Sequence, residues 1–552
     1  MLILIISHNP KKSKTFFTQP RFFMQRTEKN FSFPCRTAQI IFRAMRIITP
    51  MKEKLHSFGA VFVSAALLIA AKAAAALGKI PLCSVLGAEN SGLYYAVFPL
   101  IGIFVSLSSG GITACVSAAE AAFSSEGKTL SPTAVKRVTV FTFGIAAAAA
   151  SAAAVLAGFV AAAQNIPGAA VLYRAAAPAI IFSAISSVFK GWLLGNKKFV
   201  PVAANELLLQ IIKSAAGVGG AMLFSGRGGA APAIAASAAV SLGECAALAA
   251  LVPRYLHERR AALSARGDTS GKSGGSSAAK SIILKSIPLS AGGLIAPLCC
   301  LIESFIVLRL TAGAAAPAAE YGIKEGAVGS LLSLPAAVFH AMSSYFLPLL
   351  SEKNRKSSFP AAFSVFVSAG IIFSATYAIM PDSIIAALFP SLSKEFAEKA
   401  AFLLAAGASG CLFGAITHAY ATFFHAKGKT WQSTAVRSFA AALRITLAAM
   451  LVPSLGIKGA TLAQVIAAAA SAAALIFLSL RTGAELKPVR TAVIMPCSAM
   501  YCAFLAVFHR ICASLPAFAG VALSHLCAAI CVASLCAVVF LTRRYAAKRR
   551  ES

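Results

Sequence analysis

Lys72, Lys79, Lys213, Arg309 and Arg444, with the carboxylate of Glu303, lie within or at the ends of long apolar runs. A cation near the middle of a bilayer costs at least ~2.5 kcal/mol on insertion scales, so it normally faces a wet cavity or a charged partner. Lys213 lies 12 residues past Pro201, and Arg444 lies 12 past Gln432. In a helix that places each about 18 Å into its run, close to the bilayer middle. Lys and Arg give charge-assisted hydrogen bonds to phosphate, so a cavity lined by these five cations suits an anionic, phosphorylated ligand. Each also has a plainer reading. Lys79 and Arg309 lie near run ends, where long side chains snorkel to the interface. Lys72 can pair with an acid such as Glu303 in a structural bridge. Glu206 and Glu244 are the other acids read as lying in the runs, and Glu206 is too far before Lys213 for a direct pair one turn apart.

The elements that must carry these groups follow from composition. The chain has 552 residues, 50 Lys plus Arg against 18 Asp plus Glu, and a net charge of +32. It is also 58% hydrophobic and 12% charged, with a mean hydropathy of +0.79. A chain this apolar cannot face water over most of its surface, which excludes disorder, collagen, coiled coil and a soluble enzyme with one anchor. The expected fold is all-α and polytopic. Fourteen spans are predicted at about 58–78, 93–115, 138–160, 169–190, 201–223, 230–252, 282–309, 321–349, 360–380, 400–424, 433–453, 457–480, 489–509 and 516–541. Each is long enough to cross a ~30 Å hydrocarbon core, and none shows the alternation of a barrel strand.

The basic excess now has a place. By loop, 38 cations fall on the side of the termini, 9 on the other side and 3 inside spans (Lys72, Lys213 and Arg444). The positive-inside rule puts both termini in the cytoplasm, the membrane being the cytoplasmic (plasma) membrane. Most of the charge is then orientation signal and contact with lipid headgroups, and no nucleic-acid partner is expected. Residues 1–50 hold nine Lys plus Arg against Glu28 alone and no apolar block. They read as a basic extension, with Met51 a candidate initiator. The expected organisation continues with an N-terminal lobe over 51–253, a Gly/Ser-rich cytoplasmic linker over 254–280, a C-terminal lobe over 281–480, and two further spans with a basic tail over 481–552.

Thirteen Cys read as small packing residues, because most lie in spans and none forms a CxxC pair. The sequence has no Walker A motif, no HExxH pattern and no paired carboxylates, so neither a cofactor, a metal nor an enzymatic reaction is expected. An internal repeat does appear. Phe182–Lys213 aligns with Phe413–Arg444 at an offset of 231 residues, with Phe182/Phe413, Ala184/Ala415, Ile185/Ile416, Lys198/Lys429 and Ala204/Ala435 identical. Lys213 falls on Arg444, and the same offset carries the first span onto the seventh. Both copies keep one topology, so the repeat is parallel and predicts two pseudo-symmetric six-helix lobes plus two C-terminal helices.

The run Lys79-Ile-Pro-Leu-Cys-Ser-Val-Leu-Gly-Ala-Glu-Asn-Ser-Gly-Leu-Tyr, then Phe98-Pro-Leu and Ser109-Gly-Gly-Ile-Thr-Ala-Cys-Val-Ser, resembles the opening of the stage V sporulation protein B group. That group belongs to the polysaccharide-flippase branch of the MATE/MOP superfamily, with MurJ and Wzx as relatives. Ala184-Ile-Ser-Ser-Val-Phe-Lys-Gly, Tyr321-Gly through Leu334-Pro, Leu347-Pro-Leu-Leu-Ser-Glu352 and Gly456-Ile-Lys-Gly-Ala-Thr-Leu-Ala are similar to later signatures of the family. The resemblance implies an alternating-access flippase for a lipid-linked oligosaccharide or peptidoglycan precursor, carried on undecaprenyl pyrophosphate. It implies membrane lipids and cell-wall synthesis proteins as partners, and a role in spore-cortex, cell-wall or polysaccharide biosynthesis. Lys79 stands where the family carries Arg, Lys190-Gly191 where it carries Arg-Gly, Leu209-Gln210 where it carries Glu-Gln, and Glu303 where it carries Asp. The alternatives are a cation-coupled drug exporter of the same superfamily, which would need acids deep in its cavity, and a non-transporting scaffold of cell-wall assembly.

Overall fold

The computed structural model describes residues 36–266, 274–311, 316–351, 359–481 and 488–532. The chain divides into two units, Met1–Phe62 and Val63–Ser552. Of the first, only the helical backbone from Arg36 onward is described. The second holds the helical bundle and the cavities. The start of the basic extension and the basic C-terminal tail lie outside the described residues.

The helices are α1 (Arg36–Ser109), α2 (Ile112–Ser125), α3 (Pro132–Ala163), α4 (Ala170–Ala176), α5 (Pro178–Gly195), α6 (Phe199–Phe224), α7 (Ala231–Arg266), α8 (Gly274–Gly293) and α9 (Ile295–Leu310). They continue with α10 (Pro317–Gly322), a π-helical turn at Ile323–Val328, α11 (Gly329–Ser351), α12 (Phe359–Ile379), α13 (Pro381–Leu388), α14 (Lys394–Gly407), α15 (Ser409–Ala426), α16 (Thr430–Leu455), α17 (Ile457–Arg481), α18 (Pro488–Ile511) and α19 (Ala517–Val532). Among the described residues there is no strand. This is the all-α polytopic architecture that the apolar runs predict, because a helix satisfies its own backbone in lipid.

Among the described residues, twelve helical stretches are long and apolar enough to cross a membrane. One of them, Ala66–Ser125, has 60 residues, a path of about 90 Å and enough for two crossings. It carries the second predicted span and the first from Ala66 onward. The sequence suggests a loop between them, but helix runs up to both sides of a single residue, Gly87, with φ 69 and ψ −179. Only a residue without Cβ adopts that backbone at low cost. The fourteenth predicted span begins in α19, the shorter apolar helix at the end of the described residues. Helix also extends into the stretch read as a flexible linker: α7 runs to Arg266 and α8 starts at Gly274. The salt bridge of Arg254 with Glu258, one turn apart, supports the extension of α7.

The internal repeat is visible in helix ends and in packing. α5 and α15 start at Pro178 and Ser409 and end at Gly195 and Ala426, while α6 and α16 run Phe199–Phe224 and Thr430–Leu455, all displaced by 231 positions. Both α5 and α15 end in the same cap. Lys198 N donates to Leu193 O and Lys429 N to Phe424 O, each at 2.9 Å, around a left-handed residue, Lys197 (φ 59) or Gly428 (φ 72). This is the six-to-one closure of a Schellman motif. The packing graph repeats as well: α6 on α7, and α5 on α2, α3 and α7, correspond to α16 on α17, and α15 on α11, α12 and α17.

Helices α8 and α9 form one interrupted crossing that touches both halves. α8 packs on α2 and α3, while α9 packs on α16. Close approach is made possible by glycine. A Cβ on Gly111 would lie 2.2 Å from Ser286 O, so its replacement would force these segments apart. Gly111 N donates to Ser290 Oγ at 3.0 Å across the same contact. At the other end of the bundle, Cβ atoms on Gly92 and Gly322 would lie 1.8 Å from Ala318 O and 1.9 Å from Ala88 O. There α1 and α10 meet backbone to backbone, beside the Ser84 Oγ to Ser391 Oγ contact of 3.1 Å.

Candidate functional site: a charged cavity between the halves

Between these two contacts lies a cavity of about 430 Å³. Its walls come from α1 (Lys79, Tyr94, Tyr95, Phe98, Pro99), α6 (Lys213), α9 (Pro297, Cys300, Glu303), Tyr321 of α10, Glu325 of the π-helical turn and Arg444 of α16. Both repeats therefore contribute, and the duplicated pair Lys213 and Arg444 reaches the same space. Lys213 and Arg444 each stand alone among apolar residues, and burying them against lipid is costlier than turning them inward.

The two repeats treat their cations differently. On the first wall, Lys79 Nζ lies 6.0 Å from the Tyr95 ring centroid and Lys213 Nζ 5.0 Å from that of Phe98. Both are within the range of cation–π attraction. Among the described residues neither makes a salt bridge. Glu325 acts on Lys79, and Glu244 and Glu206 on Lys213, only through space. On the second wall, Glu303 is 3% exposed and binds two cations. Lys324 Nζ lies 3.0 Å from Glu303 Oε1, and the Arg444 guanidinium binds Glu303 Oε2. Lys324 also pairs with Glu325. Among the described residues, Arg444 Nε has no hydrogen-bond partner. Three cations and two carboxylates thus line the cavity, with Lys324 buried behind its wall, and Lys79 and Lys213 are the lining cations without a salt bridge among the described residues.

The remaining sequence-predicted groups lie elsewhere. Lys72 is exposed on α1 and does not reach Glu303, which is taken by Lys324 and Arg444. It acts through space on Glu206 and His340, and none of the three lines the cavity. Arg309 is outside the cavity wall. Its Nε donates to Ala163 O at 2.6 Å, so it caps the last carbonyl of α3 from the other half of the molecule. Gln164, next in sequence, makes a second link between halves: Nε2 donates to Ser304 Oγ at 2.8 Å, and Oε1 accepts from Tyr173 Oη at 2.7 Å. Glu206 bridges Lys190 at 3.2 Å. The eleven cysteines described are all free, in keeping with a packing role.

Sequence reasoning missed Lys324 and Glu325. Both lie in the predicted span 321–349, close to its start, where charges pass as interfacial. The signal was available in the adjacent Lys-Glu pair within Tyr321-Gly-Ile-Lys-Glu-Gly. What sequence did not show is the π-helical turn, which inserts an extra residue and rotates Lys324 into the core at 4% exposure. Among the described residues no group of three or more His, Cys, Asp or Glu side chains could hold a metal ion.

Solved structures share this architecture. The lipid II flippase MurJ in an inward closed conformation superposes with a TM-score of 0.62 at 14% identity, over 88% of this chain and all of that one. An inward-facing multidrug resistance MATE family transporter of the MOP superfamily gives 0.56 at 14% identity, over 79% and 99%. A MOP superfamily transporter from Pyrococcus furiosus, described by the reverse polarity of its binding pocket, gives 0.52 at 15% identity, over 77% and 96%. At such identities the likeness is one of fold. No curated protein sequence matches significantly. Residues 59–354, more than half of the chain, match the polysaccharide biosynthesis protein family, and the chain belongs to that family.

Proposed function

We propose that this multi-pass membrane protein is an alternating-access flippase for a lipid-linked saccharide, moved across the cytoplasmic membrane with both termini in the cytoplasm. The observation that carries the reading is a cavity walled by both repeats, in which Lys79 and Lys213 make no salt bridge among the described residues. Lys79 and Lys213, free of salt bridges among the described residues, would neutralise a pyrophosphate, and an undecaprenyl-pyrophosphate-linked oligosaccharide or peptidoglycan precursor has that chemistry. A volume of about 430 Å³ suits a headgroup of drug-like size, with the prenyl tail left in lipid. Family membership and the MurJ-like fold support the same reading.

In this account the lobes 51–253 and 281–480 rock about the cavity. The contact of α1 with α10 near Gly92 and Gly322 closes one end, and that of α1 and α2 with α8 near Gly111 closes the other. Each must open in turn. Glu303 holds Arg444 and Lys324 in place, and Arg309 ties the halves through α3. No step of this cycle calls for bond-making chemistry, so the protein acts as a transporter and not as an enzyme. A drug exporter of the same fold would place carboxylates where cations stand here. Service in spore-cortex or cell-wall synthesis, with proteins of that machinery as partners, belongs to the same proposal. The test is flipping of a fluorescent lipid-linked saccharide in vesicles, compared between the wild type and a Lys79→Gln/Lys213→Gln variant.

A further inference from the structure

A second cavity, of about 420 Å³, opens between α6 and α7. Its floor is apolar: Val200, Pro201, Ala204 and Leu208 of α6, and Ala250 and Leu251 of α7. It faces away from the central cavity. Ala204 and Lys213 are nine residues apart on one helix, two and a half turns, so they project from opposite sides. Since Lys213 lines the central cavity, Ala204 and Leu208 face outward. Ile211, on the same face, is 51% exposed. In a membrane-spanning chain that face meets lipid.

Charge collects at the mouth of this groove. Arg254 lines it, and Lys197 and Lys198 stand at the α5–α6 turn, all exposed. One carboxylate serves two of them: Glu258 accepts from Arg254 at 2.6 Å and from Lys198 at 2.9 Å. The cluster stays net positive, and the Arg254 guanidinium keeps most of its five N–H donors available. A buried polar group lies next to the floor. Asn205 is 5% exposed and donates from Nδ2 to Ala247 O at 2.7 Å, yet its Oδ1 has no hydrogen-bond partner. A buried acceptor without a donor is uncommon in native proteins, and here it lies beneath the groove floor.

We infer that this groove binds an anionic glycerophospholipid, with one acyl chain along Ala204 and Leu208 and the phosphate at Arg254. An apolar channel fits an acyl chain, and the positive mouth selects an anionic headgroup over a zwitterionic one. The site is separate from the cargo cavity, so it serves as a fixed lipid contact on the first repeat.

Native mass spectrometry of the full-length protein tests this. The protein, stripped in mild detergent, is offered equal amounts of phosphatidylglycerol, phosphatidylcholine and undecaprenyl phosphate. Retained phosphatidylglycerol is expected to exceed phosphatidylcholine by about five-fold, roughly the worth of one basic residue against an anionic headgroup. Ala204→Trp fills the groove from an exposed position and is expected to abolish the retained lipid. Arg254→Gln is expected to equalise the two phospholipids, and it decides the matter if the tryptophan variant does not fold. Equal retention of both phospholipids by the wild type would overturn the proposal. So would unchanged phosphatidylglycerol retention in Arg254→Gln, or retention of undecaprenyl phosphate alone.

Discussion

Lys324 Nζ lies 3.0 Å from Glu303 Oε1, with the two side chains 4% and 5% exposed. The same carboxylate takes the Arg444 guanidinium on its other oxygen. One acid on α9 therefore fixes a cation from the π-helical turn and another from α16. Removing one partner of a buried pair leaves an uncompensated charge, which typically costs about 3–5 kcal/mol. Glu303→Gln strands Arg444 and leaves Lys324 with Glu325 alone, so its stability in detergent is expected to fall by about that amount. Lys324→Met leaves Glu303 with Arg444 and is expected to cost less. The double variant should be more stable than the sum of the single losses implies, a coupling measured by a double-mutant cycle. Strict additivity would mean that the bridge contributes nothing to the fold.

Lys213 and Arg444 occupy equivalent places in the repeat but should respond differently to loss. Lys213 has no salt bridge among the described residues and rests over Phe98, so Lys213→Gln is expected to cost less than about 1.5 kcal/mol while slowing flipping by about ten-fold or more. Arg444→Gln releases Glu303, and is expected to lower the melting temperature as well as activity. Thermal melts and flipping rates on the same preparations separate the two. Equal destabilisation by both substitutions would contradict the asymmetry of the walls.

Ser84 Oγ and Ser391 Oγ are 3.1 Å apart, next to the backbone contact of Gly92 and Gly322. Replacing both serines by cysteine brings two thiols to bonding distance. Oxidation is expected to join Ser84→Cys to Ser391→Cys and to stop transport, with recovery on reduction. The single variants, carrying the native cysteines, serve as controls. Full transport by the cross-linked protein would show that this end of the bundle need not open.

The two Schellman caps differ in the residue at their left-handed position. Lys197 pays for its positive φ, whereas Gly428 does not. Gly428→Ala is expected to destabilise by about 1 kcal/mol and Lys197→Gly to be neutral or slightly stabilising. Chemical denaturation of each variant measures both signs. The opposite order would mean that the turns are not equivalent.

Sequence made the fold legible because the bilayer constrains it so tightly. All fourteen apolar runs contain helix, and the offset of 231 reappears in the ends of α5, α6, α15 and α16. The cavity was partly legible: Lys79, Lys213, Glu303 and Arg444 do line it. What sequence hid was pairing. Glu303 meets Arg444 141 residues away, and Lys324 reaches it from a π-helical turn that no apolar period encodes. Arg309 looks in sequence like a cavity or interface cation, but its carbonyl partner, Ala163, belongs to a helix distant in sequence. The loop expected between the first two spans shrank to Gly87, since one residue with positive φ suffices to break a helix.

In the proposed cycle, Lys79 and Lys213 on one wall of the cavity carry a pyrophosphate-linked cargo across the membrane. This role is tested most directly in reconstituted vesicles, with a fluorescent undecaprenyl-pyrophosphate-linked saccharide and a quencher confined to one side. The account predicts time-dependent loss of protected fluorescence with wild-type protein, and a rate lower by about ten-fold or more for Lys79→Gln/Lys213→Gln at equal expression and folding. Equal rates for the two proteins, or no movement of the saccharide by wild-type protein that exports a cationic amphiphile instead, would contradict it.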